Sequence, residues 1–293
     1  MISIDDRISY YLGNQQPPFN LPNDYGRGMD VPICIDIPTY PDNYYSIHGD
    51  NQYYIDIFRI MRMSKKPKLW IQCGDASYVG VNFPVLTKIR DTQNPDSKGV
   101  IMNLNSSRHM SDIFDHTDIE WGDKITGFVW RGTDTNRYGT RLNFVKEHYK
   151  SYNVGFSHYC QGVRDNPEQY TMEYIKGHTD ISEMLHYKYL PVIDGNDKSS
   201  SLGWVMASNS VPIMPIPRYH SWMCEPWLKP GIHYVECKPD FSDFLQVIEW
   251  CQDNDQKCKE IAENGKKFML QFMNSHVENY IEKKIIEYVN EHQ

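Results

Sequence analysis

An apolar run near the middle of the chain is followed directly by residues that suit phosphate binding. Residues 125–130 are typical of a buried strand, and a polar turn and a helical run come after them. Guanidinium groups donate paired hydrogen bonds to phosphate oxygens, and amides at the start of a helix favour anions. The turn therefore predicts a diphosphate site with the candidate ligands Arg131, Thr133, Thr135, Arg137 and Arg141. The same composition is compatible with an ordinary turn whose arginines are solvated.

A second strand-like run, residues 187–193, leads into another polar loop. Gly195 permits close approach of the backbone, and hydroxyls and amides for an anion come from Ser199, Ser200 and Ser201. Lys188 and Asp194 bracket the strand, and Asp194 could accept a hydrogen bond from a ribose hydroxyl at the carboxyl end. Consecutive serines are also typical of a helix N-cap, so binding and capping both stay open.

A carboxylate follows a third strand-like run, residues 68–73. Asp75 comes directly after Gly74, where the chain would leave the sheet. A carboxylate at the mouth of a strand can act as a general base toward a nearby substrate. An aspartate after a glycine is more often a turn residue, so Asp75 is a candidate base with a structural alternative.

Signatures of several enzyme classes are missing from the sequence. It contains no H-E-x-x-H or H-x-x-x-H pattern, no G-x-S-x-G, no G-x-G-x-x-G and no G-x-x-x-x-G-K-[ST]. Serine hydrolases, dinucleotide oxidoreductases and phosphate-loop NTPases lose their best sequence support, and a catalytic metal is not indicated.

The composition is that of a folded, acidic protein. Of 293 residues, 40% are hydrophobic, and 30 Lys and Arg against 38 Asp and Glu give a net charge of −8. This balance argues against nucleic-acid binding, which needs a basic surface. The seven cysteines form no C-x-x-C pair, and the N-terminus lacks the basic flank and apolar run of a signal peptide. We expect a cytoplasmic protein that does not insert into a membrane.

Strands and helices alternate along the chain in the order typical of α/β proteins. The strand-like runs named above, with another at 99–104, are separated by helix-sized spacers. Residues 178–185 are predicted to form a helix in a crossover between parallel strands. The C-terminal third is predicted to be helical, with Gly265 interrupting one helical run, and residues 1–50 to form extended segments and turns. The pattern predicts two α/β lobes.

Four segments together resemble a known family. They are residues 129–133 (VWRGT), 187–196 (YKYLPVIDGN), 206–212 (MASNSVP) and 228–235 (LKPGIHYV). In sequence, order and spacing over residues 68–270 the chain resembles glycosyltransferase family 90, the protein O-glucosyltransferase and capsule xylosyltransferase group. Its small size is most similar to that of the viral (chlorovirus) xylosyltransferases of the family.

The resemblance implies an α/β fold of GT-B type, with two Rossmann-like lobes and the active site in the cleft between them. The acceptor lobe would be 1–124 and the nucleotide-sugar lobe 125–270, with a C-terminal helix at 271–293 that packs back on the lobes. The implied reaction is an inverting, metal-independent and cofactor-free transfer of xylose from UDP-xylose to a hydroxyl of a glycan or glycoprotein. UDP-glucose-dependent O-glucosyl transfer is the alternative.

The resemblance also assigns roles to single residues. Asp75 matches the general base, and the matched donor-binding residues are Arg131, Gly132, Thr133, Lys188, Asp194, Gly195, Ser199 and Ser200. Ser201 stands where similar sequences often carry Arg. A diphosphate contact is therefore either missing or supplied by Arg137, Arg141 or Lys198.

Two other classes of protein remain as alternatives. A non-catalytic protein that binds UDP-sugars or carbohydrates is compatible with Ser201 and with the acidic composition. A glycoside hydrolase would need a second acid near Asp75, such as Asp91 or Asp112, and nothing in their spacing supports it.

Overall fold

The computed structural model describes residues 1–15, 33–36, 53–66, 68–75, 83–110, 113–135 and 138–293. The chain divides into two units, which are described separately. The first comprises Met1–Ser111, Arg218–Pro226 and Gln271–Gln293, and the second Asp112–Pro217 and Trp227–Leu270. The lobe bounds expected from the sequence stay a prediction.

The first unit is built on a mixed sheet. Its strands are β1 (Ile33–Asp36), β2 (Lys68–Gln72), β3 (Leu86–Thr87) and β5 (Val100–Ile101), in the order β1-β2-β3-β5. β1 is antiparallel to β2, and the other neighbours are parallel. A separate antiparallel pair joins β4 (Arg90–Asp91) to β10 (Tyr219–His220). The predicted strand at 68–73 is confirmed, whereas the one at 99–104 is shorter than predicted.

Helices complete the described part of the first unit. They are α1 (Ile4–Leu12), α2 (Tyr54–Met63), α3 (Ser106–His109) and α10 (Ser275–His292). The expectation of extended chain at 1–50 is wrong for α1, and most of the remainder lies outside the described residues. α1 begins with a side-chain cap, because the Ser3 hydroxyl accepts a hydrogen bond from the Asp6 N–H.

The second unit contains a parallel sheet. Its strands are β6 (Ile125–Thr133), β7 (Asn153–His158), β8 (Tyr187–Pro191), β9 (Val211–Met214) and β11 (Val235–Glu236), in the order β11-β9-β8-β6-β7. The chain steps from β6 to β7 on one side and then returns to β8 on the other side of β6. This is a doubly wound order, and its topological switch point lies between β6 and β8, where ligands of such sheets bind.

The helices of the second unit follow its strands. They are α4 (Thr140–His148), α5 (Gly162–Asp165), α6 (Ile181–Met184), α7 (Ser201–Met206), α8 (Phe244–Asp253) and α9 (Asp255–Met269). The helix predicted at 178–185 is only the single turn α6. α9 runs unbroken through Gly265, where an added Cβ would lie 3.2 Å from the His233 carbonyl oxygen, so this glycine gives that carbonyl room.

Aromatic rings fill the core beneath β6. Trp130 packs edge-on against Phe144 of α4 and Phe156 of β7, and Phe128 packs edge-on against Phe244 of α8. All five side chains are buried. This packing holds β6 rigidly in the sheet, and with it the loop that leaves its carboxyl end.

Arg7 attaches α1 to α10 inside the first unit. Its guanidinium donates two hydrogen bonds to Glu278, at 2.7 and 2.6 Å, and a third to the Tyr11 hydroxyl at 3.0 Å. Only 2% of the arginine is exposed. The Glu278 side chain is 22% exposed, so removal of the arginine leaves a partly buried charge without its partner, which is costly.

We expect Arg7→Met to lower the free energy of unfolding by about 2 kcal/mol, since the partly buried Glu278 loses its hydrogen bonds to the guanidinium. Urea denaturation measures the change. Lys257→Met is the matched control, because Lys257 and Glu260 form an exposed pair that contributes about 0–1 kcal/mol. Equal effects of the two substitutions would contradict the assignment.

Candidate functional site

The two loops predicted to bind phosphate lie beside each other. One follows β6 and the other follows β8, and these strands are parallel neighbours. The carboxyl ends of parallel neighbours lie at the same edge of a sheet. The structure therefore places Thr133, the last residue of β6, and Thr135 of the loop that follows it at the switch point. Asp194 and Gly195 of the other loop lie at the same edge.

Arg141, in the first turn of α4, joins the two loops. Its Nε donates to the carbonyl oxygens of Ile193 (3.2 Å) and Asp194 (3.1 Å), and its Nη2 donates to Ile193 at 2.9 Å. Its Nη1 donates to the Thr133 carbonyl (3.2 Å) and the Thr135 hydroxyl (2.9 Å). The buried guanidinium is thus a clamp between loops. Direct phosphate binding by Arg141 stays a prediction.

Gly195 lies directly against this clamp. An added Cβ would be 3.1 Å from Arg141 Nη2 and 3.1 Å from Thr135 Oγ1. Both contacts are tighter than side chains normally make. Gly195 was expected to permit close approach of the backbone, and the group that approaches it in the structure is the neighbouring loop.

No sequence pattern indicates a role for Asp134, yet it holds the loop after β7 in place. Its carboxylate accepts from the backbone N–H groups of Cys160 (2.6 Å), Gln161 (3.1 Å) and Val163 (2.8 Å), which follow β7. Burial favours the neutral carboxyl, but these N–H groups outweigh it and keep the pKa of Asp134 below its usual value. Asn196, in the loop after β8, links that loop directly to the one after β7, because its Nδ2 donates to Gln161 Oε1 at 2.7 Å.

Hydrogen bonds order the serine segment from within. The Ser199 N–H donates to Asp194 Oδ1 at 2.9 Å, and the hydroxyls of Ser199 and Ser201 lie 2.8 Å apart. Ser200 occupies the N-cap position of α7 without a side-chain capping bond. Because α7 has only six residues, its dipole contributes little to anion binding.

Asp194 lies in an unusual electrostatic environment. Burial raises the pKa of Asp194 to about 6, against the opposing effects of the Ser199 N–H and the Arg141 charge. Asp197, whose charge also raises this pKa, and Lys198, whose charge lowers it, are both buried. The loop therefore combines acidic and basic groups at low solvent exposure.

Arg131 and Gly132 belong to β6 itself, which continues to Thr133 with an irregular register. The prediction that the strand ends at Trp130 is wrong. Arg131 Nη1 donates to the carbonyl oxygens of Trp130 and Asn153, both at 2.9 Å, and Nη2 donates to Asn153 Oδ1 at 2.5 Å. Since Asn153 begins β7, this guanidinium lies toward the amino end of that strand.

Gly132 has a packing role in addition to its predicted one. A Cβ at this position would lie 2.6 Å from the Trp130 ring. The buried Trp130 ring therefore leaves room only for glycine at position 132. Phosphate binding by Arg131 and Gly132 stays a prediction.

Lys188 lies near the amino end of β8, away from the loop at its carboxyl end. Its Nζ donates to Asp255 Oδ1 at 2.7 Å, and the Trp121 indole donates to Asp255 Oδ2 at 3.0 Å. These bonds attach β8 to the start of α9. The predicted donor-binding role of Lys188 stays a prediction, and Arg137 lies outside the described residues.

A surface cavity opens beside β6 in the second unit. Its volume is about 590 Å³, and it is lined by Arg131, Gly132, Ser157, His116 and residues 178–184. Such a volume is within the range of small-ligand pockets.

The candidate base lies in the first unit. Asp75 follows Gly74, whose φ is +106°, and the Lys88 ammonium lies 3.1 Å from Asp75 Oδ1. The Tyr53 hydroxyl donates to the Gly74 carbonyl at 3.2 Å. Asp75 is thus held on both sides: the Tyr53 hydroxyl fixes the backbone before it, and Lys88 fixes its carboxylate.

Within the ranges described above, three or more His, Cys, Asp or Glu side chains nowhere gather in a way that could hold a metal ion. Among the helices of those same ranges, none has the length and apolar character needed to cross a membrane.

We expect Asp194→Asn to change how stability depends on pH. A raised pKa means that Asp194 contributes stability below its unfolded pKa, and that this contribution is lost as the pH rises through about 6. Asn retains the acceptor for Ser199 but does not titrate. Relative to the wild type, the variant should gain about 2 kcal/mol between pH 4 and pH 8, measured by urea unfolding.

The exposed Asp253 at the end of α8 provides the matched control as Asp253→Asn. An equal pH response of the two variants would contradict the environment assigned to Asp194.

Comparison with known proteins identifies the family. Similar proteins include O-glucosyltransferase LpsA of Dichelobacter nodosus, 28% identical over 92% of this chain and 77% of LpsA. Protein O-glucosyltransferase 2 of Danio rerio is 25% identical over 77% of this chain and 49% of that protein. The uncharacterized protein 179R of invertebrate iridescent virus 6 is 39% identical over 29% of this chain and 8% of that protein. The family model for glycosyl transferase family 90 matches residues 59–292, and the chain belongs to this family.

Proposed function

We propose that the protein is an inverting glycosyltransferase that moves a sugar from a UDP-sugar to a hydroxyl of a glycan or glycoprotein. The observation that carries the proposal is the pair of clamped loops at the switch point of the second unit, within the region that the family matches. We further propose a GT-B arrangement in which the second unit binds the donor and the first supplies the base.

The donor site is proposed at the loops after β6 and β8. Asp194 supplies an acceptor for a ribose hydroxyl, and backbone amides and hydroxyls around Thr135 and Ser199 face the diphosphate. Buried Lys198 is the cation that we assign in place of the arginine absent at Ser201. Arg141 acts by keeping the loops in register, so its charge supports the anion without a salt bridge to it.

Asp75 is proposed as the general base. It removes the proton of the acceptor hydroxyl while that oxygen bonds to the anomeric carbon on the face opposite the nucleotide. The bond from the anomeric carbon to the diphosphate oxygen breaks, and UDP leaves with the electron pair. One displacement of this kind inverts the anomeric configuration, and preorganised donors stabilise the charge that develops on UDP.

The identity of the sugar has two candidates. The sequence resemblance predicts xylose, whereas LpsA of Dichelobacter nodosus and protein O-glucosyltransferase 2 of Danio rerio are both named as O-glucosyltransferases. The names of these relatives favour glucose for this chain as well. A panel of UDP-xylose and UDP-glucose, compared at equal concentration, decides between them.

We expect the wild type to release UDP from one of these donors, with an unchanged rate in the presence of EDTA. Asp75→Asn should lower the turnover at least 100-fold, because general-base catalysis contributes about 10²–10⁴ in rate. Its affinity for UDP, measured by calorimetry, should stay within threefold of the wild-type value. UDP binding without release from any donor would instead identify a non-catalytic binding protein.

The clamp makes a separate prediction. Arg141→Lys should weaken UDP binding about tenfold, because an ammonium cannot reach carbonyl oxygens on both loops as the planar guanidinium does. Calorimetry measures the affinity, and circular dichroism checks the fold. Arg164→Lys, at an exposed position of α5, is the control. A folded Arg141→Lys variant with wild-type affinity would remove the clamp from the donor site.

A further inference from the structure

A buried ammonium lies beside the carboxylate that we propose as the base. Lys88 Nζ is 3.1 Å from Asp75 Oδ1, and the two side chains are 3% and 34% exposed. The pair therefore combines a buried cation with an accessible anion. Burial keeps water away from the ammonium, so moving the carboxylate away would leave a buried charge without this anion, and the carboxylate is therefore held in place.

The sheet of the first unit determines this pairing. β2 and β3 are parallel, with Gln72 opposite Thr87, so Asp75 and Lys88 leave the sheet at the same edge. Lys88 directly follows β3, where its stem is buried.

The backbone before Asp75 has a second anchor. Gly74 adopts a φ of +106°, which favours glycine, and its carbonyl accepts a hydrogen bond from the buried Tyr53 hydroxyl. Cys73, also buried, comes just before this turn. Backbone and side chain are thus held by different groups, and Lys88 acts on the side chain.

We propose that Lys88 is a positioning residue that fixes the orientation of the Asp75 carboxylate for proton transfer, an inference that rests on the proposed function. Proton transfer requires the carboxylate to be within hydrogen-bond reach of the acceptor hydroxyl. Loss of the ammonium allows the carboxylate to rotate away, and a misplacement of about 1 Å can cost about 100-fold in rate.

The step balances without a change at Lys88. The acceptor proton passes to the Asp75 carboxylate, the acceptor oxygen bonds to the anomeric carbon, and UDP departs with the electrons of the broken bond. Lys88 keeps its protons throughout. Because Lys88 orients the base and does not bind the donor, its removal should lower kcat and leave the donor KM unchanged.

The experiment compares Lys88→Met, Lys88→Arg and Asp75→Asn in the full chain, with UDP release as the assay. Lys88→Met should lower kcat about 100-fold with the donor KM within threefold of the wild-type value. Lys88→Arg should recover at least tenfold of that loss, since it keeps a cation beside Asp75.

Lys124→Met is the matched control for the loss of a buried lysine. Lys124 is fully buried in the second unit and pairs with Asp118, outside the proposed site. It should resemble Lys88→Met in its effect on melting temperature but keep kcat within threefold of the wild-type value. This contrast separates positioning of the base from a general loss of stability.

The outcomes are distinguishable. A folded Lys88→Met variant with kcat within threefold of the wild-type value overturns the inference, provided that the wild type turns over and Asp75→Asn does not. If Lys88→Met does not fold, a folded Lys88→Arg variant decides: kcat within tenfold of the wild type supports the role, and kcat as low as that of Asp75→Asn contradicts it. Absence of turnover by the wild type with either donor contradicts the proposed function itself.

Discussion

The candidate site depends on one buried guanidinium. Loops at the carboxyl edge of a parallel sheet expose backbone carbonyls that no neighbouring strand pairs, and a buried carbonyl without a partner is costly. Arg141 satisfies the carbonyls of Thr133, Ile193 and Asp194 together. Two loops that are about 60 residues apart in sequence are thereby joined, and Gly195 lies against Thr135 because of that contact.

The residues of the segment VWRGT (residues 129–133) make structural contacts, and the family resemblance also assigns the last three of them a role in donor binding. Trp130 belongs to the aromatic core, Gly132 leaves room for its ring, and Arg131 binds Asn153 at the start of β7. Each residue thus has a local reason for its identity that involves no substrate. The motif therefore identifies the family without showing which of its side chains contact a substrate.

The parts of the fold that could be predicted from sequence are those determined by local pattern. Apolar runs predicted β2, β6 and β8, and helical spacing predicted α8 and α9. Two other features could not be predicted from the sequence, for physical reasons. α1 is signalled only by a short cap at Ser3. The role of Asp134 depends on amides 26 to 29 residues away, which no spacing rule within a loop can anticipate.

Two of the buried cations in the proposed mechanism, Arg141 and Lys88, differ in what surrounds them, and this difference determines the role that we propose for each. Arg141 donates to carbonyl and hydroxyl oxygens of both loops, and its charge also lowers the pKa of the neighbouring Asp194 carboxyl, so the role that we propose for it is to join the loops. Lys88 is paired with a carboxylate, so the charge of that pair is largely cancelled and what remains is orientation. An acidic protein can bind an anionic donor, because locally placed cations and backbone amides outweigh distant surface carboxylates that solvent screens. The site therefore needs no basic surface, and the net charge of −8 is compatible with a UDP-sugar substrate.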